Sequence, residues 1–239
     1  MLSSQDIIRV WELGQNKPLW YRALLMLAPA FPQKTLFELA VLSIGQRNLQ
    51  LLRLHQQLFG DRLEAVVTCA HCGENLEFSI NVETLCAVNS PPHLQYVWES
   101  ESYKIIFRLL NSNDFANVQP LSDVDLARQA LLDACILEAH QDGQAVLAST
   151  LPTTVVTEFG DHLWQCDPLA EIRLNMTCVA CNVSWSPMLD VVTFLWTELS
   201  AEAQRLLDEV HTLAAAYGWS EAEILSMPPI RRNHYLGQV

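Results

Sequence analysis

Two short segments decide how this sequence is interpreted: Thr68-Cys69-Ala70-His71-Cys72-Gly73 and Thr177-Cys178-Val179-Ala180-Cys181-Asn182. In each segment, two residues separate the cysteines, a spacing at which a tight turn brings both thiolates to one metal ion. Each pair supplies half of a tetrahedral site, and zinc favours four such ligands at structural sites. The sequence therefore predicts one structural zinc ion held by Cys69, Cys72, Cys178 and Cys181.

Alternating apolar residues flank both cysteine turns, which we call the first knuckle (residues 69–72) and the second knuckle (residues 178–181). The period of two predicts β-hairpins with the knuckles at their tips. The apolar positions are Leu63, Ala65 and Val67 before the first knuckle, and Ile172, Leu174 and Met176 before the second. The pattern is typical of a zinc ribbon, whose knuckles normally lie about 15–20 residues apart. Here a long insertion, from Gly73 to Thr177, separates them.

Three other interpretations of the cysteine pairs stay open. Each pair could be a redox dithiol, although that motif places its first cysteine at a helix N-terminus and these pairs lie on predicted hairpins. The pairs could also form two separate metal sites, completed by His71 or another group, or remain as reduced thiols without a ligand. For His71 itself, an exposed position in the turn is favoured over a role as a ligand.

The composition is typical of a globular protein and disfavours nucleic-acid-binding and membrane-spanning proteins. Half of the 239 residues are hydrophobic and 17% are charged, which is typical of a globular chain. The net charge of −13 argues against a nucleic-acid partner, since no basic footprint is present to neutralise phosphates. The longest apolar tract, residues 23–31, is too short to span a bilayer. With no secretion signal recognised and seven cysteines, we expect a cytoplasmic protein with reduced thiols and no membrane contact.

Hydrophobic periodicity divides the chain into helical ends and a mixed middle. We therefore predict an α+β fold in which helical N- and C-terminal parts surround a split zinc ribbon, with an inserted α/β segment between the two hairpins. The predicted regions are an N-terminal helical region (residues 1–60), the first knuckle hairpin (61–85), an inserted α+β region (86–167), the second knuckle hairpin (168–188) and a C-terminal helical region (189–239).

Local signals set the predicted boundaries of the elements. Capping boxes beginning at Thr35 and Ser220 start two helices, and Gly45 is expected to interrupt the first of them. Pro91-Pro92 is expected to break the chain before a hairpin of residues 95–97 and 103–110. The other predicted helices are 5–13 capped by Ser4, 19–28 opened by Pro18, 46–59, 124–139 capped by Ser122, 191–217 ended by Gly218, and a last turn over 228–236.

The sequence lacks the common catalytic motifs. The chain has no His-Glu-x-x-His, no Gly-x-Ser-x-Gly and no phosphate-binding glycine loop, and it holds only eight glycines. A zinc ion with four protein ligands has no open position for water, so it would stabilise the fold rather than catalyse a reaction. His211 is expected at the surface or the edge of the core, and Glu209 on a solvated face. We therefore predict that the protein is not an enzyme.

The C-terminal region carries residues that suit an interface. Trp, Tyr and Arg dominate the energetics of protein interfaces. Such side chains could equally be packing residues inside the protein rather than contacts to a partner. The candidate partner-binding residues are Trp196, Trp219, Met227, Arg231 and Tyr235.

Two parts of the sequence resemble a known family. Residues 39–78 contain Ser43-Ile44-Gly45-Gln46-Arg47-Asn48, Leu58-Phe59-Gly60-Asp61 and the first knuckle, and residues 167–236 contain the second knuckle, Phe194-Leu195-Trp196, Glu209-Val210-His211 and Tyr217-Gly218-Trp219. Both parts resemble baseplate proteins of contractile phage tails and phage-tail-like injection systems. The second part is similar to the baseplate hub assembly proteins of T-even-type phages. The middle, residues 86–166, resembles no family.

The knuckles depart slightly from the usual motif. Neither contains the common proline, because Ala70 and Val179 follow the first cysteine of each pair. Asn182 also replaces the glycine that Gly73 supplies after the first knuckle. Asparagine tolerates a left-handed turn, so the prediction of a metal site is unaffected.

The resemblance implies a role in assembling a baseplate hub, as a chaperone or minor subunit, with protein partners and no turnover. The sequence hypothesis is therefore a non-enzymatic, zinc-stabilised structural or assembly protein of a contractile phage-tail-like particle, which binds baseplate or hub subunits. Two alternatives remain: a Cys-x-x-Cys dithiol redox protein, and a zinc-ribbon adaptor of another complex such as the transcription or translation apparatus. The acidic net charge disfavours the adaptor.

Overall fold

The structure, a computed structural model, describes residues 2–88 and 93–239 and has the α+β composition that the sequence predicts. The predicted break at Pro91-Pro92 lies outside these ranges. The helices are α1 (Ser4–Gly14), α2 (Leu19–Leu27), α3 (Leu36–Ala40), α4 (Ile44–Phe59), α5 (Val82–Cys86), α6 (Ser112–Val118), α7 (Val124–Cys135), α8 (Thr153–Cys166), α9 (Val191–Tyr217), α10 (Glu221–Ser226) and α11 (Pro229–Leu236). The strands are β1 (Arg62–Thr68), β2 (Asn75–Asn81), β3 (Tyr96–Glu99), β4 (Tyr103–Phe107), β5 (Ile136–Gln141), β6 (Gln144–Ala145), β7 (Ile172–Arg173), β8 (Met176–Thr177), β9 (Ser184–Trp185) and β10 (Met188–Leu189).

Most helix caps agree with the sequence, but α7 is capped by Asp123 and not by the predicted Ser122. Thr35 and Ser220 begin α3 and α10 with the predicted capping boxes, in which side chain and backbone satisfy each other's free amides. Helix α1 begins with a similar box at Ser3, one residue before the predicted Ser4. Helix α9 ends at Gly218, whose φ of 71° and ψ of 17° form the left-handed cap that favours glycine. No helix in residues 2–88 or 93–239 combines the length and apolar character needed to cross a bilayer.

The main core joins the two ends of the chain. Long helix α9 packs on α1, α2 and α4, so that Leu24, Leu51 and Leu199 are buried together. The bases of both knuckle hairpins also contribute side chains to this core, among them Leu63 of β1 and Ile172 of β7. Both hairpins are therefore anchored on one helical body.

A second core lies in the segment between the hairpins. Strands β3, β4, β5 and β6 form an antiparallel sheet in that order, and helix α8 packs on it. Phe107 of β4 meets Phe159 of α8 edge to face, with ring centroids 5.0 Å apart. The predicted hairpin of β3 and β4 is thus confirmed, but it is part of a larger sheet than the sequence indicated.

Strand β5 corrects one helix prediction. We predicted a helix over residues 124–139, yet α7 ends at Cys135 and Ile136 begins β5. Phe107 pairs with Ile136, and Ile105 pairs with the buried Ala139. Residues 136–139 therefore form a strand because they pair with β4, although their sequence pattern is helical. Tertiary contacts of this kind can override local helix propensity.

Gly45 corrects a second prediction. It does not interrupt a helix but lies in the first turn of α4, where its N–H donates to Asp167 Oδ2 at 2.9 Å. Ser43 Oγ donates to the other carboxylate oxygen at 3.2 Å. A Cβ at position 45 would lie 1.9 Å from Asp167 Oδ1, so only glycine allows this approach. Burial raises the pKa of Asp167, whereas the bonds from Gly45 and Ser43 act in the opposite direction.

Replacing Gly45 by alanine is expected to destabilise the protein by about 2–4 kcal/mol, because the new methyl group displaces the buried Asp167 carboxylate. Urea unfolding followed by circular dichroism measures the change. Gly160, inside α8, is the matched control, since a Cβ there meets no atom within 4 Å. Its replacement by alanine should leave stability unchanged or raise it by about 0.5–1 kcal/mol. Equal stability of the two variants would contradict the role assigned to Gly45.

Candidate metal centre

The two knuckles meet in space. Cys69 Sγ lies 3.8 Å from Cys181 Sγ, and Cys72 Sγ lies 3.6 Å from Cys178 Sγ. All four sulfurs lie within 4.8 Å of one another. The sequence prediction that distant cysteine pairs converge at one place is confirmed.

The distances between the sulfurs are compatible with one tetrahedral metal ion. With metal–sulfur bonds of about 2.3 Å, neighbouring thiolates in a tetrahedron lie about 3.8 Å apart. A disulfide would instead bring two sulfurs to about 2.0 Å, and all four cysteines are free thiols. The group contains the four cysteines alone, and His71, as expected, is an exposed turn residue. Both the donor set and its spacing are therefore compatible with a metal site, which Cys69, Cys72, Cys178 and Cys181 would hold.

The two knuckles share one backbone conformation. In each, the first cysteine's N–H donates to the carbonyl five residues later, and its carbonyl accepts the N–H four residues later. The two turns are therefore structural copies of each other, as their sequences suggest. The matching bonds are Cys69 N to Glu74 O (2.8 Å) and Gly73 N to Cys69 O (2.9 Å) in the first knuckle, and Cys178 N to Val183 O (2.9 Å) and Asn182 N to Cys178 O (2.9 Å) in the second.

Equivalent left-handed residues close the turns. Gly73 has φ of 78° and Asn182 has φ of 57°. Glycine adopts this region freely, and asparagine is among the few other residues that do so readily. The substitution of asparagine for the usual glycine therefore preserves the turn.

The environment of the sulfurs is partly apolar and polarises the thiols. Cys69 and Cys178 are buried, with Leu76 and Trp185 packed around them. Backbone N–H groups of Cys72 and His71 donate to the Cys69 sulfur and lower its pKa to about 6. These amides favour the thiolate form of Cys69, which is the form that binds metal, whereas burial and the neighbouring sulfurs raise the pKa of Cys72 to about 12 and also raise that of Cys181.

The remaining cysteines lie outside the cluster. Cys135 is buried at the end of α7, as predicted for a small hydrophobe, and burial raises its pKa to about 12. Cys86 and Cys166 are half-buried, and burial raises the pKa of both. These three cysteines therefore have the character of packing residues and not of metal ligands.

The structure separates the candidate partner-binding residues. Trp196 is buried in the main core, where the guanidinium of Arg22 lies 4.5 Å from its ring centroid. Trp219 is half-buried and lies 4.8 Å from Tyr235, centroid to centroid, in an edge-to-face contact. Met227 is half-buried and Arg231 is exposed. Four of the candidates therefore lie together in the C-terminal segment: Trp219, Met227, Arg231 and Tyr235. The fifth, Trp196, is a core residue of α9.

A buried ion pair replaces the solvated face predicted for Glu209. Glu209 is buried on α9, and Arg232 Nε of α11 donates to its Oε2 at 2.5 Å. The exposed Arg205 also pairs with Glu209 from one turn away. Arg232 donates further to Ser4 Oγ at 3.4 Å, which links α11 to α1 as well. The prediction of a solvated face was wrong because the partner, Arg232, lies 23 residues further along the chain, and helical periodicity within α9 gives no information about it.

Comparison with known proteins places these features in a family. A family model described as T4 bacteriophage base plate protein matches residues 26–195, which include both knuckles and everything between them. No curated protein and no solved structure matches the chain. The match covers the middle of the chain, which resembled no family, whereas the Tyr217-Gly218-Trp219 segment lies beyond its end. Because the match spans more than half of the residues, the chain belongs to the family of T4 bacteriophage base plate proteins.

Proposed function

We propose that the chain is a non-enzymatic structural or assembly protein of a contractile phage-tail-like particle, stabilised by one zinc ion, and that it binds baseplate or hub subunits. The family match across both knuckles is the observation that carries this proposal. Assembly would take place in the cytoplasm of the bacterial host. The particle type, the partners and the compartment are inferred from the family.

The zinc part of the proposal follows from the ligand chemistry. Four thiolates in a tetrahedral arrangement suit zinc, and a site with four protein ligands is closed to water and substrate. When bound, the ion would add folding energy by joining the two hairpins. Cys69, Cys72, Cys178 and Cys181 would be its ligands, in a zinc ribbon split by residues 86–167.

The C-terminal end is the proposed partner surface. The rings of Tyr217 and Trp219 stack with centroids 4.5 Å apart, and Tyr235 packs against both. Ile230 is 87% exposed beside Arg231, so an apolar side chain and a cation lie next to each other. Aromatic and arginine anchors of this kind dominate many interfaces. The surface would bind another protein subunit.

Co-purification tests the proposed role. Expressed with the other proteins of its particle, the tagged chain should recover baseplate or hub subunits in stoichiometric amounts. Arg231→Glu should reduce that recovery, whereas Arg128→Glu, an exposed charge reversal on α7, should not. Recovery of only chaperonins and ribosomal proteins would contradict the proposal.

Native mass spectrometry separates zinc binding from redox chemistry. We expect the mass of the purified chain to exceed the sequence mass by one zinc ion. A mass lower by two hydrogens and without metal would identify a disulfide, and with it the dithiol alternative. The measurement needs no partner and therefore tests the metal independently of the particle.

A further inference from the structure

An apolar groove lies beside α2, α4 and α8, away from the knuckle tips. Its volume is about 550 Å³, and most of its lining side chains are apolar. Several of its apolar side chains are exposed at the rim, including Met188, which is 61% exposed. The side chains that matter for the argument are Trp20, Arg47, Phe115, Trp164 and Met188.

Arg47 is the unusual member of this groove. It is only 7% exposed, yet no carboxylate oxygen in the described ranges lies within 4.0 Å of its guanidinium nitrogens. Its guanidinium donates to Asn48 Oδ1 from Nε at 3.3 Å and from Nη2 at 3.0 Å, and to Ser112 Oγ from Nη1 at 3.2 Å. A guanidinium has five N–H donors, so one donor on each terminal nitrogen has no acceptor in the part of the chain described.

Three carboxylates, two that act on the charge of Arg47 and one more in the lining of the groove, have other partners. Asp167 accepts hydrogen bonds from Ser43 and Gly45 at the start of α4. Asp190 caps α9 by accepting from the N–H groups of Val192 and Thr193. Glu171, which also lines the groove, pairs with Arg173. Each of these carboxylates thus has hydrogen-bond or ion-pair partners of its own, and none forms a salt bridge with Arg47 among the described residues.

The charge on Arg47 persists despite its burial. Desolvation lowers its pKa to about 10, while Asp190 and Asp167 act in the opposite direction. The side chain is therefore a cation at neutral pH. The charges of Asp190 and Asp167 offset part of the cost of burying this cation, but neither carboxylate is in salt-bridge contact with the guanidinium, so an incoming carboxylate could still accept hydrogen bonds from its two free N–H donors.

We infer that the groove binds a segment of a partner protein in which one carboxylate lies among apolar side chains, with that carboxylate paired to Arg47. The apolar rim would hold the flanking side chains. Asp190 and Glu171 in the lining, and the net charge of −13, also act against the proposed carboxylate, and they disfavour a phosphate group or a segment with several negative charges more strongly than a single carboxylate. The inference rests on the proposed function only in taking the occupant to be a protein.

Binding of defined peptides tests the inference. The probes are short capped peptides in which leucine, phenylalanine and alanine surround one central glutamate, and matched peptides with glutamine instead. Binding is measured by isothermal titration calorimetry. We expect the glutamate peptides to bind the wild-type chain about tenfold more tightly than the glutamine peptides.

Variants of groove residues test whether the preference for glutamate peptides arises in the groove. Arg47→Met should abolish the preference for glutamate, and Met188→Glu should weaken binding by placing a like charge at the rim. The exposed Leu147, outside the groove, gives the control Leu147→Glu, which should bind as the wild type does. If the Arg47→Met variant does not fold, the Met188→Glu variant alone tests the groove. Met188 is exposed, so its replacement is expected to leave the fold intact.

Three outcomes would overturn the inference. They are equal binding of the two peptide types by the wild-type chain, no binding of any peptide, and Arg47-dependent binding of decanoate in the absence of peptide binding. Zinc content measured on the same samples keeps the two proposals separate. If the protein holds zinc but shows no preference for glutamate peptides, only the proposed groove function is refuted. If it prefers glutamate peptides but holds no zinc, only the proposed metal site is refuted.

Discussion

Replacing Cys178 by serine is expected to remove the metal from both knuckles at once. Cys178 Sγ lies 3.6 Å from Cys72 Sγ on the opposite hairpin, so the two pairs share one site. Losing one of four ligands should lower bound zinc from one ion per chain to nearly none. Because structural zinc contributes strongly to folding, the free energy of unfolding should fall by roughly 5 kcal/mol or more. Metal analysis and thermal unfolding measure the two effects.

Cys86→Ser is the matched control for this experiment. Cys86 is a half-buried thiol outside the cluster, so its replacement should leave the zinc content unchanged. Removing zinc from the wild-type chain with a chelator should reproduce the instability of Cys178→Ser. If Cys178→Ser retained half of the zinc, the knuckles would form two independent sites and the shared site would be refuted.

Replacing Glu209 by leucine is expected to destabilise the protein by about 3–5 kcal/mol, because it leaves a buried cation without its partner. Arg232 is 1% exposed, and its Nε donates to Glu209 Oε2 at 2.5 Å. Its remaining acceptors, Met227 O at 3.3 Å and Ser4 Oγ at 3.4 Å, carry no full charge. Urea unfolding gives the change in free energy.

A double variant and a neighbouring arginine test the explanation. Glu209→Leu combined with Arg232→Met removes both charges and should recover much of the stability, since an apolar pair can replace a buried ion pair. Arg231→Ala changes an exposed arginine next to Arg232 and should alter stability by less than about 0.5 kcal/mol. A Glu209→Leu variant as stable as the wild type would refute the structural role of the pair.

Features that depend on local chemistry were predictable from the sequence. The helix over Val191–Tyr217 was predicted from its apolar face and from Gly218, and the structure has the same bounds. The capping boxes at Thr35 and Ser220 were likewise identified. In each case the atoms that decide the structure lie within a few residues of one another.

The cysteine cluster was predictable for a related reason. Cys72 and Cys178 are 106 residues apart, but each knuckle has the same short motif between alternating strands. Two half-sites with one local signature can be matched without knowing the path of the chain between them. The prediction thus needed no information about the inserted region.

Features that depend on distant partners were missed. Ile136 was assigned to a helix because its pairing with Phe107 of β4 could not be read locally. Gly45 was expected to interrupt a helix, since the approach of Asp167 is invisible in sequence. The groove around Arg47 is formed by side chains from segments far apart along the chain, and it has no motif.

The long separation between the knuckles also sets the order of events during synthesis. Cys69 and Cys72 leave the ribosome 106 or more residues before their counterparts. The intervening sheet and α8 share a core of their own, which contains none of the four clustered cysteines. A complete set of ligands exists only after Cys181 emerges. An interrupted nascent chain therefore cannot close the proposed site, and metal retention would mark translation products that have passed that point.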